Sequence, residues 1–189
     1  LVHSVRGFLL MKKGPKFYRE ARLSLLNALA LNVALPDIWN ALFELDQALN
    51  NSEFTEADSR ALLKLEPDHA LANYLLGAQL LARGALVPSE DFLRRSVEKK
   101  PTAAACNDLA ENLRLQKKPA EAELFARRAL EMDRTLLPAM DTLANIQCDA
   151  GSLGEARKLA AQTVAEKPNN PYYQLTLLRV LVRQGDREG

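Results

Sequence analysis

A leucine or phenylalanine returns down this chain at Phe8, Leu42, Leu76, Leu109, Leu143 and Leu177, at intervals of 34, 34, 33, 34 and 34 residues. A fixed period between about 20 and 50 residues marks a stack of like units, none of which can bury its apolar face alone. A single globular core has no reason to keep such a register, so the ladder constrains the fold before composition is considered.

The segment Leu71 to Pro101 shows one unit clearly. Asn73, Leu76, Gly77 and Leu80 share one face at helical spacing, which predicts a first helix ended by Gly84. A second helix opens at Pro88-Ser89, carries Phe92, Leu93, Ser96 and Val97 on its inner face, and stops before Pro101. Small residues at Gly77, Ser89 and Ser96 let the two backbones approach. One period on, Leu109-Ala110 replaces Leu76-Gly77, and Ala122 and Ala129 replace the two serines. Leu143-Ala144, Gly151, Ala156 and Pro168 repeat the order again; upstream, Trp39, Leu42 and Phe43 begin a unit closed by Pro67, and Val5, Phe8 and Leu9 precede Ala21, Leu25 and Ala28.

Gly14-Pro15, Pro36, Pro119, Gly154 and Gly185 fall at expected turns or first helical turns, where their backbone limits do least harm. Gly7 sits inside a helix with no reason visible in the sequence. No alternating strand pattern occurs. The expectation is an all-α chain of about 11 helices, with repeats at 2–35, 36–69, 70–102, 103–136 and 137–170 and a final helix at 171–184.

This order of large, large-small, small and proline positions resembles the tetratricopeptide repeat, a helix-turn-helix unit of about 34 residues. The resemblance runs from about Val2 to Gly185 and implies a right-handed α-solenoid of antiparallel helix pairs. Two departures stand out: Phe43 and Leu9 occupy the small position beside the ladder, and Ala57 and Ala61 are out of phase in the second helix of the 36–69 unit. That unit is where regular geometry is expected to fail. The N-terminal start in mid-helix at Leu1 and the turn expected at Gly185-Asp186-Arg187 suggest a slice of a longer array.

The resemblance implies a groove lined by the first helix of each pair. The inward row is then His3, Arg6, Leu10 and Lys13; Asp37, Asn40, Glu44 and Gln47; Leu71, Tyr74, Ala78 and Leu81; Asn107, Glu111 and Arg114; Asp141, Asn145 and Asp149; Tyr172, Leu175, Arg179 and Arg183. Asn40, Asn107 and Asn145 are candidates to hydrogen-bond an extended partner, Tyr74 to pack an apolar side chain, and Glu44, Glu111 and Asp141 to select basic residues. Where the family's chaperone-tail binders carry a clamp of Lys, Asn, Asn, Lys and Arg, this chain offers Asn40, Glu44, Leu75, Ala104 and Asp108, which argues against that ligand.

The 25 basic and 24 acidic residues balance to +1, which gives no electrostatic footprint for nucleic acid. No apolar run reaches the roughly 18 residues of a membrane span, so a soluble chain is expected, with the cytoplasm and the periplasm both open. Cys106 and Cys148 lie far apart without a CxxC pattern and are expected as free thiols. His3 and His69 are not spaced with Cys, Asp or Glu as metal ligands, His69 being expected as a solvated turn residue. Phosphate loops and nucleophile elbows are missing. The sequence therefore predicts no catalytic, cofactor or metal site, but a non-catalytic scaffold or adaptor that binds a protein or peptide. The alternative is a recruitment or self-assembly region of a larger multidomain enzyme or of a secretion or envelope complex. The terminal helices, above all the apolar segment Asn170 to Arg183, are candidates for homo-oligomer contact.

Overall fold

A computed structural model describes residues 2–31 and 35–188, the last three by backbone alone. Leu1 and the residues just before the expected repeat boundary at 35/36 lie outside the described set. The elements are α1 (Val2–Lys12), a 3-10 turn (Pro15–Phe17), α2 (Tyr18–Leu31), α3 (Pro36–Ala48), α4 (Ser52–Leu65), α5 (Ala70–Ala82), α6 (Leu86–Lys99), α7 (Ala103–Leu115), α8 (Pro119–Met132), α9 (Leu137–Ala150), α10 (Leu153–Glu166) and α11 (Pro171–Glu188). There is no strand among the described residues. Odd helices pair with the even helix that follows, and each even helix packs on the next odd one, so the pairs stack in chain order.

Local chemistry starts and stops these helices. Asn51 caps α4 by accepting from the backbone N–H groups of Glu53 and Phe54 at 3.1 and 3.2 Å, and Thr102 caps α7 by accepting from Ala105 N–H at 3.1 Å. His69 is not a solvated turn residue: its Nδ1 accepts from Ala72 N–H at 3.3 Å and caps α5. After four of the first helices the chain turns through one left-handed residue, at Asn50 (φ 49°), Gly84 (φ 74°), Lys117 (φ 62°) and Gly151 (φ 82°). The next N–H then reaches back five residues, Ala85 to Leu80 O at 2.9 Å and Lys118 to Leu113 O at 2.9 Å among them. This is the Schellman closure, which satisfies carbonyls the helix end would leave bare. The final helix does not stop at Gly185 as expected, but continues through it to Glu188.

Rungs Leu42, Leu76, Leu109 and Leu143 are buried, while the outermost rungs, Phe8 and Leu177, are half-covered. Gly77 is the close contact of α5 with α6: a Cβ there would sit 2.8 Å from Leu93 Cγ and 3.1 Å from Leu93 N. Ser89 Oγ donates to Gly77 O at 2.8 Å across the same contact. Gly7 plays that part in α1, where a Cβ would meet Leu25 Cδ2 at 2.5 Å and Ala21 O at 3.3 Å. The expected register placed Leu9 there. The link from Lys12 to Tyr18, with its 3-10 turn, is longer than the Ala82 to Leu86 link, so a different residue of α1 faces α2.

The 36–69 unit departs from the rest as the sequence suggested. Ala57 and Ala61 face solvent, and the inner face of α4 is Thr55, Asp58, Ser59 and Leu62. Phe43 occupies the position of Gly77 and Ala110, and α3 and α4 pack less closely than the pairs on either side. Arg22 of α2 fills part of the space. Its Nε donates to Asp46 Oδ1 at 2.8 Å, its Nη2 to Asp58 Oδ2 at 2.7 Å, and its guanidinium lies 4.0 Å from the Phe54 ring centre. Burial raises the pKa of Asp46 despite Arg22 beside it, and burial together with the Asp46 charge pushes Asp58 up to about 6.

Candidate functional site

First helices meet one another along one side of the stack: α1 approaches α3, and α5, α7, α9 and α11 approach in succession. Residues about one period apart become neighbours across this face. The face divides into an open half and a filled half.

In the open half a hollow of about 240 Å³ lies between α1 and α3, lined by Phe8, Met11, Lys12, Asp37, Asn40, Ala41 and Glu44. Asn40 and Glu44 are exposed beside the half-buried Phe8 ring and Met11 thioether of that floor. Between α3 and α5 a second hollow of about 370 Å³ is bordered by Gln47, Asn50, Tyr74, Ala78 and Gln79. Tyr74 is half-buried on its edge. Burial, with the charge of Asp108 and a hydrogen bond to it, pushes the Tyr74 hydroxyl up to about 12. Burial likewise pushes Asp108 up to about 6, against hydrogen bonds from Asn107 and Tyr74. Asn107 is buried, with its Nδ2 donating to Asp108 Oδ1 at 3.2 Å, so Asp108 rather than Asn107 lies beside Tyr74. Asp108 stands one period after Tyr74 but lies outside the inward row projected from the period.

The filled half is closed by its own ions. Arg114 grips both oxygens of Glu111 at 2.8 Å each and donates to Asp149 Oδ2 at 3.0 Å. Arg179 of α11 donates to Asn145 Oδ1 at 2.8 Å and pairs with Asp149. Asn145 Nδ2 donates to Thr176 Oγ1 at 3.0 Å and to Asp141 O at 3.1 Å, while Arg183 caps Cys148 O at 2.6 Å. Burial would raise Asp149, but hydrogen bonds and charge from Arg114 and Arg179 outweigh it and hold the group below the usual carboxylate range. At Asp141 burial outweighs a hydrogen bond with Thr176 and the charge of Arg114, and the group is raised. Of the predicted partner-binding residues, Asn40 and Glu44 thus point into open space, Tyr74 and Asn107 sit at the middle of the face, and Glu111, Asp141 and Asn145 are tied to their neighbours.

Both cysteines are buried and free, and among the described residues no group of three or more His, Cys, Asp or Glu is placed to hold a metal. No described helix is long and apolar enough to cross a membrane.

No family model and no curated protein matches the chain. Its architecture matches solved structures. PilW, a widely conserved type IV pilus biogenesis factor, aligns at 20% identity with a TM-score of 0.73, over 99% of this chain and 86% of that one. PilF of Pseudomonas aeruginosa aligns at 16% identity and a TM-score of 0.71, over 99% and 85%. YrrB, a tetratricopeptide protein with an unusual peptide-binding site, aligns at 19% identity and a TM-score of 0.62, over 86% and 93%. The chain therefore has the tetratricopeptide fold, a right-handed α-solenoid of helix pairs.

Proposed function

We propose that this chain is a non-catalytic scaffold that binds a peptide or protein segment along its first-helix face. The observation that carries the reading is the pair of hollows along α3, one toward α1, where exposed Asn40 and Glu44 stand over an apolar floor, and one toward α5, edged by Tyr74. An amide and a carboxylate above apolar ground can hold a backbone and choose a basic side chain. Asn107, Glu111, Asp141 and Asn145 continue the row; there a partner meets groups already ordered by Arg114 and Arg179, which lowers the entropic cost of binding. YrrB, whose peptide-binding site lies on the same fold, supports the class of function. The second reading, a recruitment region within a secretion or envelope assembly, is favoured by the near end-to-end match to PilW.

The test uses the double variant Asn40→Ala/Glu44→Lys, whose side chains are exposed and make no ion pair among the described residues. Affinity capture from native lysate should return a protein with the parent chain and lose it with the variant, while circular dichroism stays the same. Retention of the same protein by the variant would remove these two residues from the binding face.

A further inference from the structure

The N-terminal end of the stack presents a second surface of a different kind. Val2, Val5 and Leu9 of α1 are 79%, 51% and 56% exposed. With Leu10 and Phe17 they floor a groove of about 840 Å³ on the side of α1 that no described helix covers. Arg6, Lys12 and Lys13 stand around it; the one acid on its wall, Glu20, is held by Arg6. Lys13 leans over the Phe17 ring at 5.6 Å.

Charge is distributed unevenly. Residues 1–31 hold six of the 25 basic residues, Arg6, Lys12, Lys13, Lys16, Arg19 and Arg22, and a single one of the 24 acidic ones. The overall balance of +1 thus conceals a tip at +5 on a remainder at −4. Arg22 is buried against its own acids, but Lys12, Lys13, Lys16 and Arg19 have no ion-pair partner among the described residues.

We propose that this groove is a docking site for an acidic amphipathic helix of a partner protein. An apolar floor flanked by cations is the complement of a helix with leucines at i, i+3, i+4 and i+7 and carboxylates on its shoulders. An anionic bilayer is the poorer occupant, because α1 exposes two valines and one leucine where an interfacial helix sinks a face rich in Trp, Phe and Leu. A second copy of this chain is also disfavoured. The other uncovered apolar helix among the described residues, α11 with Leu175, Leu178, Leu181 and Val182, has no acidic residue between Pro171 and Gly185, and its Arg179 and Arg183 are turned to Asp149 and Cys148 O, so it offers the cationic rim no opposite charge. Lys12 borders the α1–α3 hollow as well, whereas Leu9 lines this groove and not that hollow, so Leu9→Glu separates this proposal from the reading of the first-helix face.

The test is titration of the 189-residue chain with a synthetic helix of about fourteen residues, some 21 Å long, carrying a leucine stripe between glutamates. A matched peptide with lysines in place of glutamates is the control, and phosphatidylglycerol and phosphatidylcholine vesicles are run in parallel. The glutamate peptide should bind, more tightly at low salt, and the lysine peptide should not. Leu9→Glu should weaken binding by about tenfold or more, and Lys12→Glu/Lys13→Glu should reverse the preference between peptides, with helicity unchanged in both. Equal binding of the two peptides, or binding undiminished in Leu9→Glu, would overturn the proposal. Stronger attachment to phosphatidylglycerol vesicles than to the glutamate peptide would give the surface to lipid, and a concentration-dependent dimer abolished by Leu9→Glu would give it to a second copy; either result overturns the partner-helix assignment.

Discussion

Between α7 and α8 the interior is lined by Ala105, Ala110, Ala122, Ala126 and Ala129, every one of them at 0% exposure. Between α2, α3 and α4 the same position in the stack holds Ile38, Trp39, Phe43 and Leu62 together with Arg22, Asp46 and Asp58. The first arrangement draws two backbones together and relies on many short dispersion contacts. The second holds them apart with large side chains and fills the remainder with an ion cluster, whose attraction must offset the cost of removing three charges from water. One architecture thus accepts two interiors, and the second places a charge cluster in the core itself.

Removing the cation is the severest way to break that contrast. Arg22→Ala leaves Asp46 and Asp58 facing each other in the interior and should cost about 3–5 kcal/mol in urea unfolding. Replacing all three groups by Arg22→Met/Asp46→Leu/Asp58→Leu should recover most of the loss. A cost below about 1 kcal/mol for Arg22→Ala would mean that the cluster is hydrated and contributes as a surface pair does. Next in size, Ala122→Leu should overpack the α7–α8 contact and cost about 1–3 kcal/mol. The same substitution at solvent-facing Ala57 should stay within about 0.5 kcal/mol. Equal effects at the two sites would erase the distinction between a close and a loose pair.

The pH response is the smallest effect and separates the two regions by group. Asp58 and Asp108 are both pushed up to about 6 from 3.8, so each binds its proton more tightly folded than unfolded. Their contribution is full below about pH 4 and is lost as pH rises through about 6, so stability should gain on the order of 1–2 kcal/mol from about pH 7 to about pH 5. Glu90 runs the other way. Burial would raise it, but Lys118 and Arg94 hold it at about 2, and its contribution is lost as pH falls from 4.5 toward that value. Melting temperature followed across this range should therefore rise as pH falls from about 7 and pass through a maximum near about pH 4. Asp58→Asn should flatten one part of the slope and Asp108→Asn another, and a parent chain with no slope between pH 5 and 7 would refute both shifts.

The regular pairs were legible because their signal is the one periodicity reads: Leu109-Ala110 facing Ala122 and Ala129 repeats Leu76-Gly77 facing Ser89 and Ser96. The Arg22 cluster was hidden because charges on a helix are ordinarily solvated. Its trace was nevertheless present in Asp46, which continues the stripe Trp39, Leu42, Phe43 at helical spacing. Gly7 was opaque for another reason: its partner depends on the length of the turn between α1 and α2, which no pattern within α1 encodes. For the candidate site the row of first-helix residues could be projected from the period. Which of them are already engaged could not, because Arg114, Asp149 and Arg179 come from three helices and meet only when these stack.

Tyr74 packs against both of the larger apolar clusters, the one formed by α1 to α5 and the one formed by α6 to α9. In a linear array each unit is stabilised chiefly by its neighbours, so a boundary between clusters is where the array comes apart into separately melting segments. The side chain that bridges this boundary also borders the proposed groove. A ligand seated on Tyr74 therefore acts on the cooperativity of unfolding as well as on occupancy, binding one half of the molecule to the fate of the other.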